Sequence, residues 1–377
     1  MRILINCSNI RVGGASQVAL ATLHHLQSHP EHDYTVVLSP YFHDQVDMAD
    51  FPPNFAFHVL DRSIANPRHF LQVKRTLETL EKNVRPDCTF TVFGPSYWTP
   101  RSPHLMGYAI PHYVYPESPY FDLLSRKEKW FFRIKRAIHR YFIKRNAKYF
   151  HVETQDVKSR LSRLFAISPD AVYVVSNALH PVFRNPDIRQ KELALVPRHP
   201  NEVRLICISG FHPHKNLTII RQIIPLLKKK IDFPVRFILT IPEDRFAAAF
   251  SGFEDSIINA GPVSIESAPS LYSQADILFF PTLLECFSAL YLEAMYLGKP
   301  ILTSDLSFAH DLCGEAACYF DPLSPESMVQ SISQVLADDS LREAMIAAGR
   351  RRITDFPTGM ERTDRYLSIL TSICKAS

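Results

Sequence analysis

The feature that most limits what this chain can fold into is an alternation of strand and helix signals that runs twice. The first run opens with RILIN (Arg2 to Asn6), a short apolar strand. SQVALATLHHLQSH (Ser16 to His29) follows, with apolar residues at helical spacing. YTVVLSP, AFHVL, CTFTVFGP, HLMGYAI, YFHVET and VYVVSN read as further strands, with HFLQVKRTLETLEKNV and QDVKSRLSRLF as helices among them. After a polar, Pro-bearing stretch from His180 to Glu202 the alternation restarts. Its strands are VRLICISG, VRFILTI, SIINAGPV, ADILFFPT, KPILTSD and ACYFDP, and NLTIIRQIIPLLKKK and ALYLEAMYLG are helical. Repeated strand–helix units predict a parallel sheet covered by helices on both faces. Two runs predict an α/β protein of two Rossmann-like domains facing each other, residues 1–180 and 203–355. Residues 181–202 are then a linker, and 356–377 a C-terminal helix able to pack back on the first domain. In open α/β sheets ligands bind beyond the carboxyl ends of the strands. The cleft between the domains is therefore the expected site.

Composition narrows the class. A chain of 377 residues suits two domains, and 46% hydrophobic with 21% charged residues is a globular balance. The net charge of +4 is too mild to argue for nucleic acid, and none is expected as a partner. Seven cysteines are scattered without a C-x-x-C pair, which predicts reduced thiols and no zinc site. The opening strand lacks the apolar core and cleavage site of a signal peptide, and no run of about 18 apolar residues appears. A cytoplasmic protein is expected, peripheral at a membrane if it associates with one at all.

Three strand ends carry the chemistry. In CSNIRVGGASQVAL, Gly13 and Gly14 precede a helix, where backbone N–H groups can approach an anion. The dinucleotide pattern G-x-G-x-x-G is absent, which argues against a dehydrogenase. In SGFHPHKNLTII, Asn216 reads as the N-cap of the next helix and sets Lys215 beside a helix N-terminus, a place suited to phosphate. His212 and His214 add donors there. In PTLLECFSALYLEAMYLGKP, two carboxylates, Glu285 and Glu293, stand eight residues apart in an apolar run. Buried carboxylates are costly unless paired or hydrogen-bonded. Ser288 can cap a helix that Gly298 stops, leaving Glu285 in the preceding loop and Glu293 inside it. If helical throughout, eight residues span about 12 Å, longer than the separation of a hydrolytic carboxylate pair. Two contacts along one extended ligand fit better, since carboxylates accept hydrogen bonds from sugar hydroxyls.

Together these segments resemble the GT-B glycosyltransferases, in particular the family-4-like group of retaining, nucleotide-sugar-dependent enzymes. The resemblance covers nearly the whole chain and is most specific at GPVSIESAPSLYSQADILFFPTLLECFSALYLEAMYLGKPILTSD, where Glu285 and Glu293 match the family's E-x7-E motif. GGASQVAL and PHKNL are similar to its donor-site loops. The resemblance implies that Glu293 binds the nucleotide ribose, Glu285 contacts the donor sugar and Lys215 neutralises the diphosphate. It implies that Gly13 and Gly14 admit the donor, and that amides around Cys286, Phe287 and Ser288 face phosphate. His112, in GYAIPHYVYPES, corresponds to a family histidine that reaches the sugar, with Pro111 interrupting the match. The catalytic set implied is thus Glu285, His112 and Lys215.

The implied reaction moves a sugar, with retention, from a nucleotide sugar to a saccharide or lipid-linked saccharide. The acceptor attacks from the face the leaving group vacates, with no carboxylate nucleophile. The nucleotide sugar is a co-substrate, and no other cofactor is implied. No D-x-D stretch occurs, so the sequence requires no metal. The chain departs from the family where an Arg usually precedes the Lys: Gly210 and His214 occupy those places. His214 or another base would have to compensate. A GT-B nucleotide-sugar epimerase and a non-catalytic nucleotide-sugar-binding protein are the competing readings.

One segment lies outside this scheme. RKEKWFFRIKRAIHRYFIKR (Arg126 to Arg145) holds nine Lys or Arg and one Glu, with Trp130, Ile134, Ala137 or Ile138, and Tyr141 at helical spacing. The simpler expectation is a helix packing this apolar stripe on the first domain with its basic face in water. The other is a helix lying on an anionic membrane.

Overall fold

The computed structural model describes residues 1–11, 13–184 and 190–376. The chain divides into two compact units. The first comprises Met1–Val114, Ser125–Asn177 and Pro357–Ser377; the second comprises Tyr115–Leu124 and Ala178–Phe356. The boundaries differ from those expected: Tyr115–Leu124 packs with the second unit rather than the first, and that unit begins at Ala178, so it takes in the expected linker. Residues 185–189 of the expected linker lie outside the described residues. The rest of that stretch is tied to the second unit. The Leu193 N–H donates to Ser270 Oγ at 3.0 Å, and Arg198 pairs with Asp276 at 3.0 Å.

The first unit holds a seven-stranded sheet: β1 (Arg2–Cys7), β2 (Asp33–Leu38), β3 (Phe55–Val59), β4 (Cys88–Thr91), β5 (His104–Gly107), β6 (Tyr149–Val152) and β7 (Val172–Val174). The order is β3-β2-β1-β4-β5-β6-β7, with every pairing parallel. β1 is buried from Ile3 onward, as a strand covered on both faces must be. The Gly359–Lys375 helix returns to this unit, adding Tyr366, Leu370 and Ile373 to its core. Arg362 fixes it by hydrogen-bonding the Asn177 side chain.

The second unit repeats the plan with β8 (Val203–Cys207), β9 (Val235–Leu239), β10 (Ile257–Asn259), β11 (Ile277–Phe280), β12 (Ile301–Ser304) and β13 (Ala317–Phe320). Its order is β10-β9-β8-β11-β12-β13, again all parallel. In each sheet the chain reverses its direction of growth once, between β1 and β4 and between β8 and β11. Loops leaving the two strands at such a switch point part to opposite faces and leave a crevice for a ligand. The loop after β1 carries Gly13; the loops after β8 and β11 carry Lys215 and Glu285.

The basic helix spans Arg126–Asn146 and opens with a Ser125–Glu128 capping box. It corrects the simpler expectation for this segment. The face packed on the first unit is formed by His139, Ile143 and Asn146, while Trp130, Ile134, Ile138 and Tyr141 are exposed. His139 is held by the hydroxyls of Tyr97 and Tyr113, partners that periodicity did not reveal.

Candidate functional site

The best-built site is at the switch point of the second sheet. Past β8 the chain makes a short turn, Pro213–Lys215, and Asn216 then takes a left-handed conformation at φ 54°. Asn216 stands at the N-cap of the short helical turn Leu217–Ile219, but its side chain makes no capping bond. Its Nδ2 instead donates to the Pro322 carbonyl at 2.8 Å, so a tertiary bond wins over local capping. This pins the turn and aims Lys215 back across the strand ends. Its ammonium lies 2.5 Å from Glu285 Oε1 and 5.0 Å from the centre of the Phe280 ring. Both side chains of the pair are largely withdrawn from solvent.

The β11 loop is tied to the same turn. The Leu283 N–H donates to the His214 carbonyl at 2.7 Å. The Thr282 hydroxyl lies 2.9 Å from Glu285 Oε1 and 3.2 Å from the His214 carbonyl oxygen, and its single proton serves one of them at a time. Ser118, from the inserted Tyr115–Leu124 segment, donates to the Leu283 carbonyl at 2.6 Å. Tyr120 meets the His214 ring edge-on. Sequence reasoning missed Ser118, Tyr120, Thr282 and Phe280. Thr282 and Phe280 stand within the quoted motif. The other two come from a segment assigned to the other domain, and no spacing pointed to them.

Of the bases able to compensate for the absent Arg, His214 is a poor source of charge. Burial first, then the nearby Lys215 and His212, push its pKa down to about 3. The ring is therefore neutral near pH 7 and adds no cation. The His212 ring, stacked on His214, stands 3.1 Å from where a side chain at Gly210 would begin. Lys215 is the cation this turn presents at the strand ends.

Glu293 lies within the Ala289–Tyr296 helix and is 4% exposed. Burial raises its pKa to about 7, opposed by the neighbouring Tyr272 hydroxyl. Its Oε2 has no hydrogen-bond partner among the described residues. Another buried carboxylate in this unit, Glu202, is treated differently: it accepts from Arg204 at 2.5 Å and from the His199 N–H at 3.2 Å, with Arg236 at 3.9 Å. The fold sets the Tyr272 hydroxyl, also unpartnered among the described residues, beside Glu293 but short of hydrogen-bond geometry, so Glu293 keeps acceptor capacity for a ligand. Ser288 stands at the N-cap of the helix as expected, but its side chain does not cap it, and no acidic residue lies in the first turn. The positive end of the helix is left uncompensated by side chains. Cys286 and Ser288 are buried there, and Phe287 packs edge-on against Phe356. Gly298, at φ 63°, ends the helix region.

In the first unit, Gly13 is the N-cap of the Gly14–Leu26 helix at φ 125°, a conformation that L side chains rarely adopt. A Cβ there would meet nothing within 4 Å, so the backbone conformation rather than space calls for glycine. His112 lies in the short Pro111–Val114 helix, its ring stacked on Phe132 at 5.1 Å. Among the described residues no group of three or more His, Cys, Asp or Glu forms a candidate metal site, and no helix is long and apolar enough to cross a membrane.

Comparison with known proteins follows this geometry. The sequence pattern of the family described as glycosyl transferases group 1 matches residues 202–338, the stretch that carries Lys215, Glu285 and Glu293. The chain is 27% identical over 163 residues to the O-antigen chain mannosyltransferase B of Escherichia coli, covering 40% of this chain and 41% of that protein. The matched stretch is thus less than half of that relative's length. A glycosyltransferase from Rickettsia africae superposes with a TM-score of 0.72 at 17% identity, over 100% of this chain and 99% of that one. Anabaena HepE in complex with UDP and glucose gives a TM-score of 0.69 at 13% identity, over 99% and 100% of the two chains. Residues 202–338 therefore match the glycosyl transferases group 1 family, in a chain with the fold of GT-B glycosyltransferase structures.

Proposed function

We propose that this protein is a retaining glycosyltransferase that moves a sugar from a nucleotide-sugar donor to a saccharide or lipid-linked saccharide acceptor, without a metal. The observation that carries the reading is the Lys215–Glu285 pair at the second sheet's switch point, with the open carboxylate of Glu293 on the following helix. Fold alone does not select an activity; this set of side chains is what supports the reading. The mannosyltransferase relative makes a mannosyl donor the first to test.

In this reading Glu293 accepts hydrogen bonds from the ribose hydroxyls, which supplies its missing partner. Glu285 accepts from the donor sugar. Lys215 has three N–H donors. One is spent on Glu285 and two are available to the diphosphate. The amides at the start of the Ala289–Tyr296 helix add partial positive charge to the same group. As the bond from the sugar to the diphosphate breaks, its electron pair moves onto the leaving oxygen. Fixed donors aimed at that growing charge lower the barrier. The acceptor hydroxyl forms its bond on the face being vacated and passes its proton to the departing phosphate oxygen. Gly13, Gly14 and His112 are assigned to the donor by resemblance alone.

The test is a thermal-shift screen of nucleotide sugars, since a ligand that binds only the folded state raises its melting temperature. Donor hydrolysis and transfer are then assayed beside Glu285→Ala and Lys215→Ala. Loss of activity in both supports the assignment; unchanged activity in both overturns it.

A further inference from the structure

The Arg126–Asn146 helix has two apolar faces, and the fold uses one. The inner face is fully engaged. Phe132 stacks on His112, Phe142 packs against Phe70 and Tyr97, His139 bonds two tyrosine hydroxyls, and Asn146 donates to Thr99 at 2.7 Å. The outer face carries Trp130, Phe131, Ile134, Ile138 and Tyr141, each at least 40% exposed. At roughly 100° per residue these five fall within a sector about 100° wide, opposite the buried face. Arg126, Arg133, Arg140 and Lys144 flank one edge of that sector and Lys135 the other. Glu128 is the one acidic residue of the segment, and it is engaged in the capping box.

From this pattern we infer that the helix is a docking surface for a bilayer containing anionic lipid. Charge complementarity selects the occupant: nine Lys or Arg between 126 and 145 favour a negatively charged surface. Aromatic rings among the exposed apolar residues suit the headgroup boundary, where Trp and Tyr have one wet and one apolar end. The helix lies in the plane of the interface with Trp130, Phe131, Ile134 and Ile138 among the upper acyl chains and the flanking bases at the headgroups. No contact of the inner face is lost in this pose. The inference is independent of the donor assignment in the second unit.

The two tryptophans make the test specific. Trp98 is fully buried, whereas Trp130 is 57% exposed. The full-length protein is mixed with phosphatidylcholine vesicles, with and without phosphatidylglycerol, and followed by flotation and tryptophan emission. Flotation with the anionic vesicles alone, a blue shift that Trp130→Phe abolishes, and weakening by salt support the inference. Arg133→Gln/Arg140→Gln/Lys144→Gln lowers partitioning on the order of 100-fold, at about fivefold per charge. Trp130→Ser/Phe131→Ser/Ile134→Ser removes it while leaving the melting temperature and the nucleotide-sugar thermal shift in place. Absence of flotation with anionic vesicles overturns the inference. So does equal binding to neutral vesicles, or binding that neither triple variant changes. Concentration-dependent dimers that the apolar variant abolishes, without vesicle binding, assign the face to a second copy instead.

Discussion

The two ends of the second sheet hold buried carboxylates in opposite states. At the amino end, Glu202 lies beside β8 with both oxygens engaged, by Arg204, Arg236 and a backbone N–H. At the carboxyl end, Glu293 is equally buried but keeps one oxygen without a partner among the described residues, and Glu285 rests on a lysine with donors to spare. Burial is a cost in both places. At the amino end the fold meets that cost itself. At the carboxyl end it leaves part of the cost in place, which is what a site for a hydroxyl-rich, anionic ligand needs. The first sheet's switch point shows a third condition: Gly13 offers backbone conformation and space in place of charge.

Mutating each end should separate the two roles. Glu202→Ala strands Arg204 and Arg236 in a buried setting. It should lower stability by about 3–5 kcal/mol, the usual cost of breaking a buried pair from one side. Denaturant melts measure this, and nucleotide-sugar affinity of the folded protein should not change. Lys215→Ala should shift the balance toward activity. It leaves the mostly buried Glu285 with only the Thr282 hydroxyl, so it costs some stability as well, but its larger effect should be to lower kcat/KM for transfer roughly 10²–10³-fold, the range for losing one preorganised donor to a developing oxyanion. If the pair acts as a unit, Glu285→Ala combined with Lys215→Ala falls little further than the worse single variant.

Glu293→Gln sharpens the contrast through pH. The folded pKa is about 7 against an ordinary 4.5, so folding favours the protonated form. Between these values the folded protein keeps a proton that the unfolded chain has lost, and stability falls as pH rises through the window. Glutamine removes that fall. Relative to wild type the variant should gain about 3 kcal/mol at pH 8 and little at pH 4, measured by melts across pH. Donor affinity of the wild type should rise between pH 6 and 8, as the carboxylate ionises and accepts more strongly; that of the variant should not. Gly298→Ala is the smallest change. A φ of 63°, with the Arg350 side chain at 3.4 Å and Ile346 at 3.6 Å, predicts a loss of about 1–2 kcal/mol in stability and no change in transfer.

Much of this was legible in the sequence because it rests on short-range rules. Short apolar runs between helical patterns placed the thirteen strands of the described residues, and the parallel order followed from their alternation with helices. Glu285 in a loop and Glu293 in the next helix could be read from the serine and glycine that bracket them. What escaped depended on tertiary partners. Nothing local says that Lys215 closes on Glu285 from seventy residues away, or that Asn216 prefers the Pro322 carbonyl to its own helix. The pKa of His214 depends on burial, to which Tyr120 contributes from Tyr115–Leu124, a segment that packs with the second unit although the chain on either side of it belongs to the first. For the basic helix, periodicity found an apolar stripe but not which of two apolar faces is packed. The inner face uses His139 and Asn146, polar residues that no hydrophobic pattern marks.

The central claim is that the carboxyl end of the second sheet is open because a nucleotide sugar completes it. Titration calorimetry of the nucleoside diphosphate of the best thermal-shift donor, into wild type, Lys215→Ala and Glu293→Gln at pH 8, tests this most directly. The account predicts binding to the wild type and roughly 10–100-fold weaker binding to each variant, the loss expected for one charge-assisted hydrogen bond. Equal affinity in all three proteins would contradict it.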